Sequence, residues 1–325
     1  MNTFIINKQR IINNYNTFKQ IGPIYYPIKA NSNKAVIDIL SNIFDDKDKF
    51  AISNKNIIDS NKTTLINPFY NLEELEYFYN EGVRDFVFED LDIFIKFKTR
   101  HSDIISSVRI NLNEIIENNN TFIGAPLKET LQMIAEGCSL SIYCPTEFRK
   151  DDYLEDCLSA AKIFGTKTLR LSGFNITDIK KILTFKNDTY IDLITEPGES
   201  LINNAIDYEC DIIKFKKINN NYFLILNTSI YKGLFDYLLY DKKYSITCND
   251  KILNYNGFGT PCTLCGVSGD SKDIFGTVYL TNEDIKTIEN AKNVTFKNVG
   301  AYFENIMTNY GKETEYEVKI VESLQ

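Results

Sequence analysis

Tyr25-Tyr26-Pro27-Ile28-Lys29-Ala30-Asn31-Ser32-Asn33 is a short apolar run that ends in one lysine and passes into small and turn-forming residues. A run of this length bounded by such residues reads as a buried strand. A lysine at its end is costly to desolvate. It has either a route for its ammonium to reach water or a chemical task, such as a Schiff base, that uses a lowered pKa. Beyond it Val36, Ile39, Leu40 and Ile43 recur at helical spacing, and Ser32-Asn33 is placed to cap that helix.

The strand and helix open a pattern that repeats. Phe50-Ala51-Ile52-Ser53, Thr64-Leu65-Ile66-Asn67-Pro68, Phe86-Val87-Phe88 and Ser107-Val108-Arg109-Ile110-Asn111-Leu112 read as strands. So do Leu140-Ser141-Ile142-Tyr143-Cys144, Thr168-Leu169-Arg170-Leu171-Ser172-Gly173 and Tyr190-Ile191-Asp192-Leu193-Ile194-Thr195. Helical stretches lie between them, among them Leu72 to Tyr79, Leu91 to Phe97 and Leu127 to Ala135. Eight strands alternating with helices before residue 200 predict an α/β barrel or a doubly wound sheet. After about residue 205 helices thin out, and Tyr222 to Asn227, Tyr244 to Cys248, Val278 to Leu280, Val294 to Phe296 and Tyr316 to Val321 read as strands of a β-rich second domain.

Composition excludes several classes. The 325 residues, 43% hydrophobic and 25% charged, are those of a globular protein large enough for two domains. A net charge of −8 without a basic cluster argues against nucleic acid and suits cationic small molecules. The start, Met1-Asn2-Thr3-Phe4-Ile5-Ile6-Asn7-Lys8, does not read as a secretory signal, and no run approaches membrane-spanning length, so cytoplasmic residence without a membrane partner is expected. Seven cysteines without a paired CxxC framework suggest reduced thiols. Cys262 and Cys265 form a single CxxC, read as two cysteines of a loop, and with His101 as the only histidine no metal site is predicted. Glu117-Asn118-Asn119-Asn120 reads as a loop, since asparagine is abundant throughout.

Two later stretches carry chemistry. Glu196-Pro197-Gly198 stands where the eighth strand ends, a place where a carboxylate is well set for a barrel's site and where a glycine lets backbone amides approach a phosphate. Without further context it is a turn. Val299-Gly300-Ala301-Tyr302 lies near the far end of the chain.

Together these stretches resemble the fold-type III pyridoxal-phosphate enzymes, a family that includes alanine racemase and the decarboxylases of ornithine, diaminopimelate, arginine and carboxynorspermidine. The family's cofactor-lysine motif reads Tyr-Ala-Val-Lys-Ala-Asn-x-Asn, matched by Lys29, Ala30, Asn31 and Asn33. Glu196-Pro197-Gly198 resembles its Glu-Pro-Gly-Arg, with Glu199 in place of the arginine as in carboxynorspermidine decarboxylases. Val299 to Tyr302 resembles its Gly-Ala-Tyr, and Asn309-Tyr310-Gly311 stands where a Phe-Asn-Gly follows. Arg109-Ile110-Asn111 and Asn67-Pro68 resemble two further family motifs.

The resemblance implies a (β/α)8 TIM-type barrel over residues 20 to 204 and a C-terminal β-rich domain over 205 to 325, joined by residues 1 to 19. It implies pyridoxal 5'-phosphate bound through a Lys29 Schiff base, with Glu196 on the pyridine nitrogen and Tyr302 against the cofactor. Arg109, Ser172, Gly173 and Gly198 would join in holding it, Tyr143 would take the place of the family's stacking histidine, and Thr146 that of the phosphate-binding serine. Gly266 to Asp273 matches the family's substrate motif with Asp270 and Asp273 retained. The family's reprotonating cysteine is Gly269 here, which leaves Cys265, another acid or water for that step. Asp270, Asp273 and Glu199 would face the substrate, Asp270 from the neighbouring subunit of a homodimer. Without the resemblance Asp270 is a solvated loop carboxylate.

The expected activity is decarboxylation of a basic or diamino acid (ornithine, lysine, arginine or diaminopimelate type) to an amine, as in polyamine biosynthesis. Two alternatives share the fold: a carboxynorspermidine-type decarboxylase, which Glu199 suggests, and an amino acid racemase. A third is a catalytically inactive homologue that binds a partner protein, motivated by the replaced histidine, cysteine and arginine.

Overall fold

A computed structural model describes residues 1–55, 58–116, 121–143, 153–234, 236–239, 242–303 and 315–322. They fall into two compact units, one made of Asn14–Lys29 with Ile43–Ser200, the other of Met1–Asn13, Ala30–Asn42 and Leu201–Gln325. Strand β1, Asn2–Asn7, belongs to the latter. The former holds β2 Tyr25–Pro27, β3 Lys49–Ile52, β4 Thr63–Leu65, β5 Asp85–Phe88, β6 Ile105–Arg109, β7 Ser139–Tyr143, β8 Thr168–Ser172 and β9 Asp192–Glu196.

These eight strands bond in chain order into one sheet, and each pair is parallel. The sheet curls shut where Ile24 bridges Thr195 and the Thr195 N–H donates to Pro23 O at 2.9 Å. A nearly closed (β/α)8 barrel results. At the seam Gly22 has no alternative, because a Cβ there would lie 2.0 Å from Leu193 O.

Side chains alternate across each strand. Outward residues meet the helices: Phe86 packs on Phe97 with ring centroids 5.1 Å apart and Phe88 on Phe94 at 5.3 Å, both partners on the helix Leu91–Arg100. That helix starts where Asp90 accepts the Ile93 N–H, and the helix Leu72–Asn80 starts at a capping box of Asn71 and Glu74. Asn33 accepts the Ala35 N–H at 2.9 Å, so the expected cap of the helix Lys34–Ile43 is present.

Inward residues form a mixed interior. Tyr25, Ala51, Ile66 and Val87 pack together with Ile194 against them. Beside them lie the buried polar side chains Thr64, Asp85, Ser107, Ser141 and Arg170. A barrel filled only by branched apolar residues would hold none of these charges.

The other unit is a nine-stranded sheet. Its remaining strands are β10 Ile206–Ile218, β11 Asn221–Leu226, β12 Ile246–Cys248, β13 Lys251–Ile252, β14 Thr260–Cys265, β15 Ile274–Leu280, β16 Asn293–Phe296 and β17 Tyr316–Val321. The order runs β13-β12-β16-β10-β11-β14-β15, with β1 pairing β10 and β17. Phe4, Tyr208 and Phe303 pack together in its core, the Phe4 centroid 4.9 Å from Tyr208 in a tilted pair and 4.6 Å from Phe303 edge-to-face.

Several expectations need correction. The pattern reading omits β10, whose outer half is polar and exposed, and β14, which carries Pro261 and two cysteines. Cys262 and Cys265 therefore lie on a strand rather than in a loop, and both are free thiols. The last barrel strand begins at Asp192, and Tyr190 stands fully in solvent. Glu117 to Asn120 lies outside the described residues. Among the described residues no helix is long and apolar enough to cross a membrane.

Candidate active site

Lys29 does not end the strand but sits in the single 3-10 turn Ile28–Ala30 that follows β2. The turn swings its side chain over Tyr143, the last residue of β7, with Nζ 5.2 Å from the ring centroid. The residue is exposed, yet its ammonium pKa is held below the ordinary lysine value. Desolvation is the first cause and the Arg109 charge the second, partly offset by Glu196. Solvent access and a lowered pKa are compatible where a side chain lines a concave surface: water can reach the amine without surrounding it. A lowered pKa favours the neutral amine, the form that adds to a carbonyl.

Arg109, the last residue of β6, is buried, and its guanidinium carbon lies 5.6 Å from the same Tyr143 ring. Nη1 donates to Ile66 O at 3.2 Å, while Nε is buried without a hydrogen-bond partner among the described residues. An orphaned donor of this kind is costly and fits an acceptor brought by a ligand.

Glu196 ends β9 and is buried. Arg170 Nε and Nη2 both donate to its Oε1, at 3.0 Å and 2.6 Å. Among the described residues no hydrogen bond reaches Oε2. Ser172 ends β8 and Gly173 follows it; Ser172 Oγ donates to Ile142 O at 3.3 Å, and Gly173 has φ +80, a left-handed conformation suited to glycine. Gly198 lies in the bend before the short helix Glu199–Ile202, and Glu199 is half-buried.

Lys29, Arg109, Tyr143, Ser172, Gly173 and Glu196 thus all stand at or just past the C-terminal ends of barrel strands, the end where sites of this architecture lie. Thr146 and Asn309 to Gly311 lie outside the described residues.

The other unit holds the remaining candidates. The Tyr302 N–H donates to Ala30 O at 2.6 Å, and Asn31 Nδ2 donates to Gly300 O at 2.8 Å, so two stretches distant in sequence meet. Tyr302 has φ +60, an unusual conformation for a bulky residue that stores local strain. Asp270 is half-buried and accepts the Lys272 N–H at 2.8 Å and the Tyr231 hydroxyl at 3.4 Å. Asp273 is buried, and its two oxygens accept the N–H groups of Ile230 and Ser268, both at 2.9 Å. Gly266 is needed beside it, since a Cβ would lie 2.3 Å from Oδ2. Asp273 therefore fastens the turn that carries Asp270. Cys265 is half-buried, and burial with the nearby Asp273 charge pushes its thiol pKa up, so it keeps its proton at neutral pH.

The sequence reading missed Arg170, Asp85 and Glu89. An arginine in the middle of the Leu-rich stretch Thr168–Ser172 was the available signal for the first. Glu89 follows β5 in the alternation of Asp85 and Val87, which places it on the inward face at the barrel mouth. Its Oε2 accepts the Gly124 N–H at 2.6 Å. Desolvation raises its pKa against that bond and the Arg109 charge.

A carboxyl with a raised folded pKa contributes stability that is complete below its unfolded pKa and is lost as pH rises through the folded value. Glu89→Gln, which keeps the acceptor, is therefore expected to gain stability relative to the parent as pH rises from about 4 to 7. Urea unfolding at both ends of that range checks this; a gain at acid pH alone contradicts it.

Comparison with known proteins follows the same lines. No family model matches the chain. A lysine/ornithine decarboxylase of Selenomonas ruminantium is 22% identical over 299 residues, 80% of this chain and 74% of that protein. The arginine decarboxylase of Paramecium bursaria Chlorella virus, solved with agmatine bound, matches with a TM-score of 0.79 at 14% identity, covering 98% of this chain and 96% of that one. The lysine/ornithine decarboxylase of Vibrio vulnificus, solved with cadaverine, matches with a TM-score of 0.76 at 16% identity, covering 99% and 94%. Over nearly its whole length, the chain has the fold of these decarboxylases.

Proposed function

We propose that this chain is a pyridoxal-phosphate-dependent decarboxylase of a basic amino acid, releasing CO2 and the corresponding amine. The observation that carries this reading is an accessible lysine of lowered pKa at the mouth of the barrel, with a carboxylate held in place on the last strand. The fold shared with lysine/ornithine and arginine decarboxylases supports it.

The residues fit the cofactor at three points. Lys29 offers the amine that would hold its aldehyde carbon. Glu196 has one oxygen without a hydrogen bond among the described residues, suited to a protonated ring nitrogen. Arg109 Nε is a buried donor without a partner among the described residues. Tyr143 would flank the ring, while Ser172, Gly173, Gly198 and Thr146 are assigned to the phosphate and Tyr302 to the cofactor. When bound, the cofactor supplies an electron sink for the charge left on the α-carbon.

The chain's own groups would do the rest. Asp270 is assigned to the substrate's distal ammonium, with Asp273 holding its turn and Glu199 near the substrate. Cys265, kept protonated, is assigned to return a proton to the α-carbon. The reading includes a cytoplasmic homodimer with shared sites, for which sedimentation at several concentrations is the check.

The functional test is CO2 release from ornithine, lysine, arginine, diaminopimelate and carboxynorspermidine with pyridoxal phosphate added. One of the basic amino acids is expected to be turned over well above the rest. Release from none of them, by protein that has bound the cofactor, overturns the reading in favour of an inactive homologue.

A further inference from the structure

Arg170 is 1% exposed, in the interior of a barrel that ordinarily holds branched apolar residues. Burying a guanidinium there is expensive unless every donor is used. It is held from two sides. Nη1 donates to Asp85 Oδ1 at 3.1 Å, to Thr64 Oγ1 at 3.2 Å and to Ser107 Oγ at 3.4 Å. Asp85 Oδ2 in turn accepts Lys49 Nζ at 2.6 Å, and the face of Tyr25 lies 4.8 Å from the guanidinium carbon. Nε and Nη2 then both converge on a single oxygen of Glu196.

The asymmetry matters. A side-by-side pair would engage both carboxylate oxygens. Here Oε1 is loaded twice and Oε2 is left over among the described residues, so the carboxylate can turn only by giving up two charge-assisted bonds at once. Half-buried Lys49 and the buried Asp85, Arg170 and Glu196 form one chain of alternating charge across strands β3, β5, β8 and β9.

We propose that Arg170 is a positioning residue for Glu196: it fixes which oxygen the barrel presents to a bound ring nitrogen, and Asp85 anchors Arg170 for that purpose. This rests on the reading of Glu196 as the partner of the cofactor's ring nitrogen. Arg170 touches neither cofactor nor substrate in this account.

The test uses the full chain as Arg170→Met, Arg170→Lys, Glu196→Gln and the double variant Arg170→Met/Glu196→Gln. Two quantities are read on folded protein: the dissociation constant for pyridoxal phosphate, and the NMR shift of its isotope-labelled ring nitrogen when bound. Arg170→Met is expected to weaken cofactor binding by about tenfold or more, as loss of an orienting partner does, and to move the ring-nitrogen signal. Arg170→Lys, which keeps one cationic donor, is expected to recover part of both and to remain available if the methionine variant does not fold. The double variant is expected to bind no worse than Glu196→Gln alone.

If Glu196→Gln shifts both readouts while Arg170→Met and Arg170→Lys leave them at the parent values, with only the melting temperature lowered, Arg170 is structural and the proposal is overturned. If Glu196→Gln itself changes neither, the assignment of Glu196 fails, and the proposal with it.

Discussion

Lys29→Ala is expected to lose amino acid decarboxylation by about 10⁴-fold or more, the scale seen when a covalently reacting group is removed. The fold is expected to survive. Lys29 is exposed and lies in a one-turn connection, so its removal empties no core, and stability is expected to stay within about 0.5 kcal/mol of the parent. Loss of activity with an unchanged unfolding curve separates a chemical role from a structural one. CO2 release and urea unfolding on the same preparation decide it; an active Lys29→Ala protein contradicts the account. Such a result would leave the barrel intact and remove its proposed chemistry.

Asp48→Ala is expected to cost much stability although it lies away from the mouth of the barrel. Asp48 is fully buried just before β3, at the opposite, N-terminal end of the strands. Its Oδ1 accepts the Ile24 N–H at 2.8 Å and Lys19 Nζ at 2.5 Å; its Oδ2 accepts the Tyr15 hydroxyl at 2.7 Å and the Asp45 N–H at 3.0 Å. The alanine variant leaves a strand-edge amide and a buried hydroxyl unsatisfied, next to the seam where Ile24 meets Thr195. Lys19 is partly exposed and can turn to water, so the loss falls mainly on the uncharged donors. About 3 kcal/mol is expected from these, with Asp48→Asn milder because it keeps an acceptor. Unfolding in urea measures it, and a loss below about 1 kcal/mol contradicts the view that Asp48 ties the foot of the barrel.

The barrel was legible because buried parallel strands read as short apolar runs, and the helices between them carry clear periodicity. Phe86-Val87-Phe88 and Leu127 to Ala135 were visible for that reason. Strand β10 escaped because much of it is exposed and lysine-bearing, and its pairing with β1 and β16 joins residues far apart in the chain. Strand β14 escaped because Pro261 reads as a breaker, tolerated in position here.

The candidate site divides in the same way. Lys29 and Glu196 stand in local motifs. Arg170, Asp85 and Glu89 do not: Arg170 shows locally only as a charge within an apolar strand, and what an inward charge does is read from its partner. For Arg170 and Asp85 that partner is 85 residues away. Asp273 shows the converse: its sequence pattern suggests a substrate carboxylate, and its surroundings are two backbone amides.

Borohydride reduction of the protein in the presence of pyridoxal phosphate, followed by proteolysis and mass spectrometry, addresses the central claim most directly. The account predicts a stable pyridoxyl group on the peptide that contains Lys29, and none on that peptide in Lys29→Ala. Label on a different lysine, or no label at all, would contradict it.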